Sequence, residues 1–411
     1  MIIDWPKRSD LQHLRSLRLL AVLLTMTLLA TTTVNSQASA QTQTPDALPA
    51  SAPVVLPATE MDKTLHRQTV SRGVTYLLEK GQDAQDGSFS KQLGPAVTSM
   101  CVSALLKNDV PVSHEKVQLS LKYIESFVRP DGGIYAPKST LRNYETSVSL
   151  MCLHQANTDG KYDQTIEKAI AFLKGIQWDE GENHQPGSRH YGGQGYGKHK
   201  RPDASNTSFF LDALKEAQPE SNSEAIRKAV VFMSRCQNLP SEHNDAEFAL
   251  VASEDDLGGM IYSAVGTGES KAENESDTPV GGLRSYGSMT YAGLKSFLYA
   301  GIGKEDLRVK AALDWISRHY DLTSNPGVGQ QGLFYYYHVF AKALHAHGEQ
   351  FIVDSNGVSR SWRADLLEKL SEKQSDDGSW TNPADRWYEG DPNLVTSYGL
   401  LALSYLADKT Q

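Results

Sequence analysis

From about Met61 onward the chain alternates two kinds of helical text. One kind sets apolar residues on one face and charged residues on the other, over residues 73–82, 121–130, 169–177, 229–237, 312–320 and 366–374. That pattern predicts helices with one solvent side. The other kind is apolar or small almost all round, over 95–106, 144–156, 204–217, 288–300, 333–346 and 394–407. It predicts helices buried on every side. A turn separates the two, clearest at Asp86-Gly87, Asp131-Gly132 and Asp377-Gly378 and looser at Leu257-Gly258. Glycine accepts positive φ and aspartate bonds its own backbone, so the pair turns the chain tightly. Strand patterns are nearly absent.

About six such pairs follow one another, so the chain is read as a repeat protein. Six wholly buried helices and six one-sided ones predict an all-α fold, a single α/α toroid (barrel) with inner and outer helical rings. An open solenoid would not bury its second helices so completely. The spacing stretches between the fourth and fifth pairs, where the acidic residues 269–279 predict an exposed loop.

The pattern fails before Met61. Lys7, Arg8, Arg15 and Arg18 precede an apolar run from Leu19 to Ala30 and a small-residue site at Ala38-Ser39-Ala40. This predicts a signal peptide over 1–40, cleaved after Ala40, and an exported protein in the periplasm or outside the cell. The run is too short to span a bilayer comfortably, so no transmembrane span is expected once the signal is removed. Residues 41–60, rich in Pro, Ala and Thr, predict a flexible linker to a folded domain over 61–411. The net charge of −9 and pI near 5.8 argue against a nucleic-acid partner. Cys101, Cys152 and Cys236 each fall in helical text without a close partner, and are read as small buried residues.

The stretch from Lys369 to Trp380, with Gln374, Asp377, Gly378 and Trp380, resembles the Gln-Trp repeat of squalene and oxidosqualene cyclases. The other pairs resemble degenerate copies of it, and the likeness runs over roughly residues 65–408. It implies a terpenoid-cyclase-like toroid of the squalene cyclase and prenyltransferase repeat family. It also implies that Gln177, Gln237, Gln374 and Trp380 are structural, tying neighbouring helix pairs together.

The family's terpene cyclases protonate an alkene with an Asp-x-Asp-Asp motif at the start of an inner helix. The similar place here is Asp203-Ala204-Ser205-Asn206. The resemblance thus makes Asp203 the candidate catalytic acid, with serine at the proton donor's place and asparagine at the last. The family's prenyltransferases hold zinc with an Asp-x-Cys pair and a later His; no cysteine here has that spacing, so no metal or cofactor is implied.

Inner-helix starts should converge on one mouth, where Glu145, Asn206, Tyr286, Tyr335, Tyr336, His338 and Asp391 are candidate substrate-binding residues. An aromatic and polar mouth over an apolar interior suits an apolar small molecule or lipid with a polar head, such as an isoprenoid. The residues 187–201, with Arg189, His190, Lys198, His199, Lys200 and Arg201, add basic charge before an inner-helix N-terminus. Two other readings compete with a terpenoid-cyclase-like activity. One is a non-catalytic binding or scaffold toroid; the other is a carbohydrate-active lyase or hydrolase, using Glu145, Asp203 and Asp391.

Overall fold

The computed structural model describes residues 61–197, 201–218, 220 and 222–407. The chain divides into Met1–Ala52 and Pro53–Gln411. The first unit, and with it the expected signal peptide 1–40 and linker 41–60, lies outside the described residues.

Among the described residues, twelve helices of 11 residues or more carry the fold. In chain order they are α1 (Lys63–Tyr76), α2 (Pro95–Lys107), α3 (Glu115–Glu125), α4 (Arg142–Ala156), α5 (Asp163–Lys174) and α6 (Ala204–Ala217). Then come α7 (Ser223–Arg235), α8 (Gly287–Tyr299), α9 (Leu307–Arg318), α10 (Leu333–His347), α11 (Trp362–Lys373) and α12 (Pro392–Ser404). A short antiparallel hairpin, Ile352–Val353 with Ser359–Arg360, joins α10 to α11. The even-numbered helices are the all-round apolar ones of the sequence, and each packs on the next, α2 to α4 and so on to α12. Helix α12 then packs on α2, which closes the ring. Each odd-numbered helix lies outside against an even one, and α11 packs on α1 across the closure.

Three residue types explain why the pairs stack in register. Glutamine at the end of an outer helix donates its side-chain amide twice. Gln177 Nε2 reaches Gly192 O at 2.8 Å and Ala225 O, in the next outer helix, at 3.0 Å. Gln237 does the same with Gly258 O and Arg308 O, both at 2.9 Å. Gln374 joins Gly378 O at 2.9 Å to Thr69 O at 3.0 Å, so the last repeat is tied to the first. The turn glycine has positive φ and presses on the next outer helix. A Cβ on Gly132, Gly192, Gly258 or Gly378 would lie 2.6, 1.8, 2.1 or 2.3 Å from the carbonyl oxygen of Lys168, Lys228, Ala311 or Arg72. The third type is an inner-helix threonine. Thr98, Thr146, Thr207, Thr290 and Thr396 each accept the backbone N–H two residues past that glycine, from Phe89, Ile134, Gln194, Met260 and Trp380.

The fifth pair departs from this scheme. Tyr320 replaces the glutamine and donates to Asp365 of α11 at 2.8 Å, while Tyr336 stands at the threonine's place and donates to Asp321 O at 2.7 Å. Trp380 is fully buried, donates its indole N–H to Leu370 O at 2.8 Å, and fits because Gly73 and Gly399 have no side chains. Cys101, Cys152 and Cys236 are buried and unpaired, as read from their helical text. None of the described helices is long and apolar enough to cross a membrane.

Candidate functional site

Inner helices are each entered from an outer turn and left towards another, so they run parallel and their N-termini share one end. At that end Asp203 caps α6. Its Oδ1 accepts the Asn206 backbone N–H at 2.8 Å and its Oδ2 accepts Asn206 Nδ2 at 2.9 Å. Tyr262 also hydrogen-bonds the carboxylate, and Arg201 stands near it. Burial nevertheless pushes the carboxyl from the ordinary 3.8 up to about 6. Ser205, where the resemblance would place a proton donor, meets the Tyr335 hydroxyl at 3.3 Å. Asn206 accepts the Asn143 side-chain amide on its backbone oxygen at 3.2 Å and on its Oδ1 at 3.3 Å. Alkene protonation needs a strong acid, and a carboxyl titrating near 6 with both oxygens engaged is a weak one.

Because the folded carboxyl titrates above its unfolded value, Asp203 opposes folding once ionised. Its effect on stability appears as the pH rises from 3.8 towards 6 and beyond. Asp203→Asn keeps a capping oxygen. The difference in unfolding free energy between variant and wild type should shift in the variant's favour by about 2 kcal/mol from pH 4 to pH 7. Urea titrations across that range check this; a pH-independent difference would contradict it.

Contacts between inner helices that are not ring neighbours can be made only across the interior, and so mark the lumen. Tyr144 of α4 hydrogen-bonds Tyr398 of α12. Phe209 of α6 stacks on Tyr335 of α10 at 6.0 Å. Tyr144 meets Phe209 edge-on at 4.9 Å, and Tyr398 lies 5.8 Å from both Tyr335 and His338. Tyr144, Ser205 and Tyr335 are half-buried. Below them Phe209, Tyr398 and His338 still keep 8%, 6% and 7% of their surface exposed, so solvent-sized space reaches the second layer of rings.

Deeper down, the expected apolar interior gives way to charge. Asp212 Oδ2 accepts from Lys295 at 2.6 Å and, across the lumen, from Lys342 at 2.9 Å. Lys295 also donates to Ser208 Oγ at 2.7 Å, and Lys342 to Glu216 at 3.0 Å. Gln155 of α4 reaches Glu216 at 3.4 Å, and Lys107 of α2 lies 5.4 Å from the ring of Tyr405, which follows α12. Every inner helix or its end therefore contributes to this layer. Burial pushes Lys295 down to about 8, against the pull of Asp212. Burial alone would raise Asp212, but Lys295 and Lys342 hold it below the usual carboxylate range.

The mouth brings together Asp203, Asn206 and Tyr335, with Tyr286 buried close by at the start of α8 and His338 one turn below Tyr335. Three other sequence candidates have partners elsewhere. Glu145 is buried against its own approach loop, accepting from Ala136 N at 2.9 Å and Ser139 Oγ at 2.9 Å. Asp391 caps α12 through Asn393 N and Leu394 N and accepts from Ser90 Oγ. Tyr336 packs on Tyr291 and Phe340 in the wall. Of the basic stretch, Lys198, His199 and Lys200 lie outside the described residues, while Arg189 pairs with Asp245 and Arg201 with Glu269.

Two features escape the pattern reading. Glu389, 1% exposed, caps α10 from outside by accepting Tyr335 N at 2.7 Å, and no periodic signal announces it. The charged layer did leave a signal, namely isolated charges at Asp212, Lys295 and Lys342 within otherwise apolar helices.

A family model described as the squalene-hopene cyclase C-terminal domain matches residues 92–252. No curated protein sequence matches the chain. Among solved structures, a D-mannose isomerase is similar with a TM-score of 0.54 and 12% identity, covering 85% of this chain and 98% of the other. A variant of the type II terpene cyclase MstE from Scytonema, in complex with geranylgeranyl dihydroxybenzoate, gives 0.51 and 13%, covering 84% and 97%. An α-amylase from Clostridium perfringens gives 0.50 and 11%, covering 84% and 98%. At such identities the likeness is one of fold.

Proposed function

Since this chain is a squalene-cyclase-like α/α toroid, we propose that it is an exported protein that holds an isoprenoid or related lipid in its lumen without cyclising it. The observation that carries this is the ring-lined lumen itself. Tyr144, Phe209, Tyr335 and Tyr398 face one another across the barrel from the end where the inner helices begin. Aromatic walls with hydroxyl tips suit an apolar ligand that carries a polar group. Holding is preferred to cyclisation because Ser205 stands where an acid is needed and Asp203 is engaged in capping α6.

A second reading, a carbohydrate-active toroid, is favoured by Trp387 and Tyr388. They stand 40% and 64% exposed beside the N-terminal end of α10, both at positive φ. Exposed aromatic faces are typical of sugar platforms as well as of lipid mouths.

Native mass spectrometry of the protein from the periplasmic or extracellular fraction, followed by organic extraction, tests the proposal. The expected result is a co-purifying isoprenoid, returned unchanged on incubation and bound equally by Asp203→Asn. Turnover abolished in Asp203→Asn would make the protein an enzyme. An empty barrel that binds oligosaccharides would replace the lipid reading by the carbohydrate one, and recovery only from the cytoplasm would overturn export.

A further inference from the structure

The rim of the mouth beside the start of α6 carries a group of cations outside the ring-lined lumen. Arg201 and Lys271 both lie over the ring of Tyr262, at 5.8 and 4.3 Å from its centroid. Tyr262 hydrogen-bonds Asp203, two residues before Ser205, and the Ser205 hydroxyl meets Tyr335 of the lumen at 3.3 Å. Arg386 joins the group from the loop before α12, its guanidinium 4.5 Å from the Trp387 ring. Trp387 packs on Gly332, just before α10, where a side chain would collide with it. Burial and the positive charges of Arg201 and Arg386 hold the Lys271 ammonium below its ordinary range, so the three cations lie within one another's fields.

Arg201 and Lys271 already share one carboxylate, that of Glu269. A single anion therefore reaches both, and it does so in a place open to water. The side chains of Arg201, Lys271 and Glu269 are 36%, 22% and 35% exposed. Glu269 is anchored by its backbone rather than by this contact. Its N–H donates to Ser263 O at 2.8 Å, and its carbonyl accepts from Tyr262 N at 2.9 Å and Ser263 N at 3.0 Å. The carboxylate can turn out to solvent without moving the chain, and an ion pair this exposed contributes little to stability. Asp203, the other carboxylate of the group, is buried and engaged by Asn206 and Tyr262. Arg386 has no ion pair among the described residues and bonds Gln331 Oε1. Positive charge is left over at this rim, in a chain whose net charge is −9.

We infer that the rim binds the carboxylate of the lumen's ligand between Arg201 and Lys271, and that Glu269 is the internal carboxylate it displaces. The inference rests on the lumen being the ligand site, and it makes the ligand an amphipathic acid. Its chain lies among Tyr144, Phe209, Tyr335 and Tyr398, and its head over Tyr262. A carboxylate that accepts from a guanidinium and an ammonium together makes charge-assisted hydrogen bonds that an alcohol matches only in part.

Calorimetric titration of the full protein near neutral pH and at low ionic strength tests this. The ligands are geranic acid, geraniol as the matched alcohol, and 3-methylbut-2-enoic acid, which carries the same head on a short chain. Geranic acid is expected to bind at least about tenfold more tightly than geraniol, and added salt should shrink the preference. Lys271→Gln should cut the preference to about threefold or less. Glu269→Gln should act the other way, strengthening geranic acid by about threefold or more and leaving geraniol unchanged, because it removes the internal competitor. Equal weakening of the acid in the two variants would mean that the ion pair only shapes the rim, and would overturn the displacement. Equal affinity for acid and alcohol in the wild type overturns the carboxylate site while leaving the lipid reading intact. A short acid bound through Lys271 as tightly as geranic acid keeps the anion site and removes the lipid from the lumen. Binding of neither geranic acid nor geraniol overturns both.

Discussion

Asp212→Ala is expected to lower the unfolding free energy by about 3–5 kcal/mol, the largest single-residue effect in the protein. Asp212 is the shared acceptor of Lys295 and Lys342, and its removal strands the first of them. Lys342 retains Glu216, whereas Lys295 keeps only the Ser208 hydroxyl. An ammonium this deeply buried must shed its proton or draw water into the barrel, and either response is costly. Replacing both partners with apolar residues of similar length removes the problem along with the attraction. Asp212→Leu/Lys295→Met should therefore be at least about 2 kcal/mol more stable than the Asp212→Leu single variant. Chemical denaturation of the three variants checks both statements. A double variant no better than Asp212→Leu would mean that the layer acts through packing rather than charge.

The second large effect is expected at the ring closure. Gly378 has a φ of +92°, and a Cβ there would lie 2.3 Å from the Arg72 carbonyl oxygen of α1. Gly378→Ala thus combines left-handed backbone strain of about 1–2 kcal/mol with an overpacking cost of about 1–3 kcal/mol. The total should be about 3 kcal/mol. Gly301→Ala is the control, because Gly301 has a similar φ of +82° with nothing within 4 Å of the added Cβ. It should lose only the backbone part, about 1–2 kcal/mol. Equal losses in the two variants would show that the contact between first and last repeats contributes nothing beyond local strain. The closure has no covalent link to enforce it, so Gln374, Gly378 and the α12–α2 packing act as its fasteners.

The Asp-Gly signature marks the first, second and sixth turns, but the third is Tyr191-Gly192-Gly193-Gln194 with no aspartate. Gly192 still presses on the next outer helix, at Lys228, and Gln194 still donates its N–H to Thr207. The turn there depends on the glycine and the threonine, while the aspartate only braces the turn where present, as Asp377 does for Ser379. The inner threonines were invisible to pattern reading because one polar residue in an apolar helix reads as a tolerated exception. Their meaning lies in a partner nine to thirty residues away in the chain.

The sequence by itself determined the class of fold, the alternation of inner and outer helices, and the closed arrangement that wholly buried helices require. These follow from periodicity, and periodicity is a local property read over three or four turns of chain. It also marked Asp203 and Tyr335 as neighbours of the mouth, because helix starts are legible from their caps and breaks. Only the tertiary structure decided which of the candidate residues face the lumen. Tyr335 and Tyr336 are adjacent in sequence, yet one points across the barrel to Phe209 and the other into the wall against Tyr291. The direction of a side chain about a buried helix depends on how its neighbours pack, and a helix apolar on all sides carries no stripe to reveal it. The same limit hid the charged layer. Asp212, Lys295 and Lys342 lie on three helices far apart in the chain, and only closure of the ring brings their charges within hydrogen-bonding distance.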